Sequence, residues 1–160
     1  METIWTVGDG LVIDCDFPGG NIVFDRYEGN AIYVSQDVRD TEGHWFYWFF
    51  RISGAGGRKL VFRFTDGDVI GARGPAFSVD NGDRWSWLGL ATVQGASFSF
   101  DFAPDQDEVL FCMTIPYLEN NLNRFLKRHE NDAALKKEVL CLTNKGREAE
   151  LLRIGRIDGS

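Results

Sequence analysis

Histidine is scarce in this sequence, which argues against catalytic and metal sites that depend on imidazole side chains. Only His44 and His129 occur among the 160 residues. Neither has a glutamate four residues before it, or a cysteine or second histidine at the spacing of metal ligands. His129 falls near the end of a predicted helix, where a protonated ring interacts favourably with the helix dipole. We therefore predict no catalytic residue and no metal-binding residue in this chain.

Cysteine is rare as well, and the three cysteines are not spaced in the sequence as pairs of metal ligands. Cys15, Cys112 and Cys141 have no second cysteine and no histidine two to four residues away, which argues against a structural zinc site. Each lies in an apolar stretch, where a free thiol packs as a small hydrophobic group. Reduced thiols of this kind predict a cytoplasmic protein.

Long apolar runs, a signal sequence and an excess of positive charge are also missing. No run approaches the roughly 18 apolar residues that a membrane helix needs. The first ten residues carry no basic cluster and no apolar run, so we expect no signal peptide. With 17 Lys and Arg against 24 Asp and Glu, the net charge is -7. Such a chain is not expected to bind nucleic acid or an anionic membrane.

Aromatic residues, by contrast, are abundant. They make up 14% of the chain, with 13 Phe and 5 Trp. The densest stretch, residues 45–52, is aromatic on both faces of an extended strand. Such a strand is expected at the centre of a sheet that is covered on both sides. The composition therefore favours a β-sandwich filled with large rings.

Alternating apolar residues between glycine-rich turns predict a series of strands. The predicted strands are residues 11–15, 21–26, 31–35, 45–52, 59–65, 84–88, 97–102 and 108–113. Residues 97–102 and 108–113 are joined by a short acidic turn and are expected to form a hairpin. Residues 66–83 are predicted to be a long irregular loop. The fold class is mostly β, an antiparallel β-sandwich.

Near residue 116 the apolar residues change from the alternation of strands to the spacing of a helix. Leu118, Leu122, Phe125 and Leu126 lie on one face of a helix, and Pro116 is predicted in its first turn. A short second helical turn at residues 133–135 and a hairpin of residues 139–143 and 150–154 follow. Residues 1–115 are therefore predicted to form the sandwich domain. Residues 116–160 are too short to be a domain by themselves.

Seven segments occur in an order that is typical of one enzyme family. They are Gly20-Asn21-Ile22, Trp45-Phe46-Tyr47-Trp48-Phe49, Phe62-Arg63-Phe64, Arg84-Trp85-Ser86-Trp87-Leu88-Gly89, Ser99-Phe100-Asp101-Phe102, Val109-Leu110-Phe111-Cys112 and Ile115-Pro116-Tyr117. In this order the chain resembles the amino-terminal β-sandwich domain of cytosolic-type zinc carboxypeptidases. Residues 116–160 resemble the opening helix and first two strands of the peptidase domain of that family.

The resemblance implies a fragment without the catalytic centre. In that family the zinc site begins after these strands with a His-x-x-Glu pair. Here Tyr47 stands at the third position after His44, and Asp132 at the third position after His129. We therefore expect this chain to be inactive alone and to hold no cofactor. The resemblance implies that a longer parent uses zinc to hydrolyse C-terminal residues from peptides or proteins.

The expected role of the sandwich is that of a non-catalytic accessory domain. It would brace the missing peptidase domain, its partner in cis, and flank the substrate funnel. The residues expected at the interface are Pro116, Tyr117, Leu122 and Leu140. Without the missing domain, these side chains would leave an apolar patch through which the chain self-associates.

A free-standing binding module for glycans or for a protein partner is the alternative. Trp45, Trp48, Trp85 and Trp87 would then form an aromatic surface on which sugars stack. Exposed, coplanar rings would favour this reading, and buried rings would favour the accessory domain. A third option, an enzyme of unfamiliar type, is supported only by scattered carboxylates.

Overall fold

The computed structural model describes residues 2–39, 41 and 46–155. In this part of the chain the secondary structure consists of twelve strands, one α-helix and one short 3₁₀ helix. The elements are β1 (Ile4–Val7), β2 (Leu11–Asp14), β3 (Val23–Glu28), β4 (Ala31–Ser35), β5 (Phe49–Ser53), β6 (Lys59–Phe64), β7 (Ala76–Ser78), β8 (Ser86–Trp87), the 3₁₀ helix Leu90–Thr92, β9 (Ser97–Asp101), β10 (Glu108–Cys112), α1 (Glu119–Arg128), β11 (Leu135–Leu142) and β12 (Glu148–Ile154). The mostly-β prediction is confirmed. No helix among these residues is long and apolar enough to cross a membrane.

Two sheets form the larger part of the fold. One has the strand order β1-β2-β5-β10-β7-β8, and the other has the order β3-β4-β6-β9. All pairs are antiparallel except β4 and β6, which run parallel. The sheets face each other across a core of phenylalanine rings. Phe62 of the four-stranded sheet lies 5.5 Å from Phe50 and 5.1 Å from Phe111 of the six-stranded sheet, measured between ring centroids.

Strand β5 occupies the central position that its aromatic residues predict. It lies between β2 and β10, and Phe50 points into the core. Phe49 alternates to the outer face of the sheet, yet it is buried there as well. Phe17 and Trp85 cover it, with ring centroids 4.8 Å and 5.7 Å away. The regular strand begins at Phe49, four residues later than predicted.

The predicted hairpin of residues 97–102 and 108–113 is wrong. Strand β9 belongs to the four-stranded sheet and β10 to the six-stranded sheet. Phe102 is buried where the chain passes from one sheet to the other, and the Gly57 N–H donates to its carbonyl over 3.1 Å. The turn therefore connects the two layers instead of two neighbouring strands.

Two strands are not predicted from the sequence, because each is only three or four residues long. β1 lies within the first ten residues and pairs with β2, so that Ile4 stands opposite Asp14. β7 lies inside the predicted loop of residues 66–83 and pairs with β10, so that Ser78 stands opposite Leu110. Neither segment is long enough to show a clear alternation by itself.

The chain divides into two compact units, one ending at Pro116 and the other starting at Tyr117. In the second unit, α1 begins at Glu119, so Pro116 is not in its first turn as predicted. Leu118 is the N-cap and has extended backbone angles (φ -98°, ψ 168°). Its N–H donates to Asn121 Oδ1 over 2.9 Å, which satisfies the backbone group just before the helix.

Strands β11 and β12 form the predicted hairpin of the second unit. Both are longer than predicted, and the register shifts between Val139 and Cys141, which marks a β-bulge. Gly146 adopts φ +72° in the connecting turn, a conformation that suits glycine. The predicted helical turn at residues 133–135 is instead a turn in which the Ala134 N–H donates to Asp132 Oδ1.

Candidate functional site

The titratable side chains of the described chain do not converge on a catalytic or metal centre. No group of three or more His, Cys, Asp or Glu residues within residues 2–39, 41 and 46–155 is placed to hold a metal ion. His129 lies exposed at the end of α1, and its ring packs against Phe125 at 4.7 Å. His44 lies outside the described residues. Among the described residues, the donors therefore do not fit the zinc ion that the resemblance implies for the parent.

Trp48 is a core residue and cannot belong to the aromatic surface considered from the sequence. It is fully buried, with ring centroids of Phe64 and Phe98 at 4.8 Å and 5.9 Å. Its Nε1–H donates to the Val69 carbonyl over 2.9 Å, which satisfies its one polar group. The ring fills the space between the sheets.

Trp85 and Trp87 are half-buried and already contact the chain itself. Trp85 covers Phe49, and its Nε1–H donates to the Gly82 carbonyl over 3.0 Å. The Arg73 guanidinium lies 5.7 Å from the Trp87 ring centroid. Trp45 lies outside the described residues. With Trp48 buried and Trp85 packed on Phe49, the structure does not favour a glycan platform.

A partly buried ion pair lies on the outer face of the six-stranded sheet. Arg51 of β5 donates through Nε and Nη2 to Asp14 Oδ2 of β2, the Nε contact being 3.0 Å. Glu108 of β10 lies 3.6 Å from Arg51 Nη1. The hydrogen bond with Asp14 raises the pKa of Arg51, so the guanidinium stays charged. Because the charges are paired across three neighbouring strands, we interpret this cluster as structural.

A cavity of about 330 Å³ lies beside the loops that precede β3 and follow β4. It is lined by Glu2, Thr3, Cys15, Asp16, Phe17, Gly20, Asn21, Ile22, Asp37 and Arg39. Arg39 has φ +49° and donates through Nη2 to the Gly20 carbonyl over 2.5 Å. Burial raises the pKa of the Cys15 thiol, which makes it a poor nucleophile at neutral pH. The cavity therefore has no arrangement suited to catalysis.

Cys112 at the end of β10 and Tyr47 just before β5 are both held in their neutral forms. Burial raises the pKa of the Cys112 thiol to about 11 and also raises the pKa of Tyr47. The Tyr47 hydroxyl donates to the Gly19 carbonyl over 2.8 Å. Neither group is therefore poised for acid–base chemistry at neutral pH.

Exposed apolar side chains are concentrated on the hairpin of the second unit. We call the set Val139, Leu140, Leu142 and Ile154 the hairpin patch; their exposed fractions are 50%, 65%, 65% and 75%. Tyr117 is 68% exposed, while Leu122 on α1 and Pro116 are half-buried. No described side chain of the second unit is buried. A surface of this kind is typical of a docking face.

Several solved structures with the same fold are named as carboxypeptidases. A carboxypeptidase from Burkholderia mallei matches 94% of this chain with a TM-score of 0.77 and 24% identity. A metallo-carboxypeptidase from Burkholderia cenocepacia matches 93% with a TM-score of 0.73 and 23% identity. One from Pseudomonas aeruginosa, in complex with (2-guanidinoethylmercapto)succinic acid, matches 90% with a TM-score of 0.71 and 24% identity. The chain shares their fold.

These matches leave most of each longer protein without a counterpart. The chain spans 40% of the length of each of the three solved structures. No family model matches it, and no curated protein matches it by sequence. At such low identity the likeness concerns the fold, and the activity of the longer proteins does not transfer with it.

Proposed function

We propose that this chain is the N-terminal part of a metallo-carboxypeptidase and that its first unit is a non-catalytic accessory domain. The unit would brace the peptidase domain and flank the substrate funnel. The parent would hydrolyse C-terminal residues from peptides or proteins with a zinc ion. Neither the zinc ligands nor the catalytic residues would lie in the chain described here.

The contrast in burial between the two units is the observation that carries this proposal. The first unit has a continuous core in which rings such as Trp48, Phe62 and Phe111 are fully buried. The second unit buries none of its described side chains. A helix and a two-stranded hairpin are too small to be stable alone without further packing. The second unit would therefore gain its core from additional chain.

The carboxypeptidase structures support this proposal. Each matches at least nine-tenths of this chain over 40% of its own length. In addition, only six residues separate the end of β10 at Cys112 from the start of α1 at Glu119. A connection this short suits a domain that braces its neighbour, whereas a long linker would let the two move independently.

A peptidase assay tests the proposal directly. We expect the purified chain to release no C-terminal residue from a peptide mixture, with or without added zinc, because it lacks the ligands that would hold the metal. Turnover that depends on zinc and is lost with a chelator would overturn the accessory role.

A second test reads the coding sequence beyond Ser160. The proposal expects a His-x-x-Glu pair within the next few dozen codons, in the same reading frame. A stop codon directly after Ser160 would contradict it. It would favour a free-standing module whose hairpin patch binds a separate protein.

A further inference from the structure

The loop between β7 and β8 holds the one Asn-Gly pair of the sequence, Asn81 and Gly82. The Asp83 N–H donates to the Asp80 carbonyl over 3.3 Å, which closes a β-turn around the pair. Asn81 has φ +57° and Gly82 has φ +88°, the backbone of a type I′ turn. Asn81 is exposed to solvent. An exposed asparagine followed by glycine has the chemistry needed for loss of its side-chain amide.

We propose that Asn81 is a deamidation site and that the hydroxyl of Ser78 slows its reaction. In this reaction the Gly82 backbone nitrogen attacks Cγ of Asn81, so that an N–Cγ bond forms and the Cγ–Nδ2 bond breaks. Ammonia leaves with the proton of the Gly82 amide. Water then opens the five-membered ring on either side and yields aspartate or isoaspartate. The step needs only water and involves no redox change.

Glycine makes the attacking nitrogen accessible, because it has no side chain to shield the amide. The folded loop, however, engages this nitrogen in a hydrogen bond. The Gly82 N–H donates to Ser78 Oγ over 2.9 Å, and the Ser78 side chain is buried. Attack on Asn81 requires this bond to break, so the hydroxyl should slow the reaction.

Ser78 is itself held in place by a local network. Its hydroxyl donates to Asp80 Oδ1 over 2.8 Å. The other oxygen of Asp80 accepts from Arg84 Nε over 2.7 Å, and the Arg84 backbone N–H donates to Asp80 Oδ1 over 2.9 Å. These bonds fix the hydroxyl oxygen opposite the Gly82 amide. The turn is therefore locked in a conformation that is not reactive.

The reaction would uncover the outer face of the six-stranded sheet. The Gly82 backbone lies against Leu110 and Trp85: a Cβ placed on Gly82 would be 3.6 Å from Leu110 Cδ1. Isoaspartate lengthens the backbone by one methylene and adds a negative charge beside Asp80 and Asp83. We expect the turn to open and Trp85 to lose its hydrogen bond to the Gly82 carbonyl. The modified chain should melt at a lower temperature.

Incubation at neutral pH, followed by peptide mass spectrometry, measures the reaction at Asn81. We expect the native chain to deamidate there more slowly than the same chain unfolded in urea. Ser78→Ala should accelerate the native reaction about tenfold, because the net free energy of one hydrogen bond corresponds to about that factor in rate. Asn81→Ser should abolish the charge change seen by isoelectric focusing.

Val34→Ala is the matched control, because it removes a buried side chain in the other sheet and leaves the loop intact. At denaturant concentrations that equalise global stability, Ser78→Ala should deamidate faster than Val34→Ala. Equal rates would overturn the role of Ser78.

Hydrogen exchange of the Gly82 amide in the unmodified chain is the second test, for the case that Ser78→Ala does not fold. Protection of this amide supports the proposal, and fast exchange contradicts it. A native rate equal to the unfolded rate would also overturn it.

Discussion

Trp48 connects the two sheets through one side chain. It lies directly before β5 of the six-stranded sheet, and its ring contacts Phe64 and Phe98 of the four-stranded sheet. Its indole N–H is paired with the Val69 carbonyl. An indole at this position therefore supplies both apolar area and a satisfied donor. The aromatic stretch predicts a large buried ring, but only the structure shows which of its rings lies in the core.

Replacing Trp48 with alanine should destabilise the first unit strongly. We expect the free energy of unfolding to fall by about 3–5 kcal/mol, the range for a large buried aromatic side chain that leaves a cavity. Urea unfolding followed by circular dichroism measures this change. Phe46→Ala is the control, because Phe46 is 54% exposed and should cost far less. Similar losses for the two variants would show that Trp48 is not a core residue.

Asp80 links the stability of the β7–β8 loop to pH. Hydrogen bonds from the Arg84 side chain and backbone, and from Ser78, lower the pKa of its carboxyl to about 2. In the unfolded chain a free aspartate has a pKa of about 3.9. Because the folded pKa is the lower one, the carboxylate stabilises the fold at neutral pH. This contribution is lost as the pH falls from about 4 through about 2.

Asp80→Asn should remove this contribution. We expect the variant to be less stable than the unmodified chain at neutral pH and the two to converge as the pH falls from about 4 towards about 2, since the asparagine carries no charge to protonate. Urea unfolding at a series of pH values measures both curves. Asp105→Asn, in the exposed turn of residues 103–107, is the matched control and should lower stability at neutral pH far less than Asp80→Asn. Parallel curves for Asp80→Asn and the unmodified chain would refute the link.

At the scale of secondary-structure elements, alternation predicts strands better than it predicts their partners. Residues 97–101 alternate cleanly and form β9 as expected. The short turn after them predicts a hairpin, yet β10 pairs with β5 and β7 in the other sheet. Local sequence cannot distinguish a turn within one sheet from a turn between two layers. The difference depends on which apolar faces meet across the core.

The hairpin patch of the second unit should make the chain self-associate. Leu140 and Leu142 are each 65% exposed, and burying them against another copy would remove apolar surface from water. We expect the apparent mass in multi-angle light scattering to rise with protein concentration. Leu140→Lys should shift this rise to higher concentrations, because a charge would have to be buried in the contact.

Asn144→Lys provides the control for added charge. It places the same charge in the turn between β11 and β12, outside the hairpin patch. We expect its mass profile to match that of the unmodified chain. A strict monomer at all concentrations would contradict the predicted association. Equal effects of the two lysine variants would assign it to net charge instead of the patch.

At the scale of the whole molecule, the two units differ in their capacity to fold alone. The first unit ends at Pro116 and contains all the buried side chains of the described chain. The second unit starts at Tyr117 and has a helix, a hairpin and no buried side chain. Apolar burial is the dominant favourable contribution to folding. The stability of the chain should therefore lie almost entirely in the first unit.

A chain that ends at Pro116 should unfold cooperatively with a free energy close to that of the full chain. Residues 117–155 alone should show no cooperative transition. Urea unfolding of both pieces, monitored by circular dichroism, measures this. A chain that ends at Ala103 is the control: it lacks β10 and with it the buried Phe111, so it should not fold. Cooperative unfolding of residues 117–155 would show that the second unit is stable by itself.

The sequence by itself determined the mostly-β class, the aromatic core and the change from strands to a helix shortly after residue 116. These follow from local patterns: alternation, glycine spacing and helical periodicity act over a few residues. Only the tertiary structure decided that β9 and β10 separate into two sheets, that Trp48 is buried and that the hairpin patch is exposed. Such features depend on contacts between residues far apart in the chain, which bury one apolar face and leave another open.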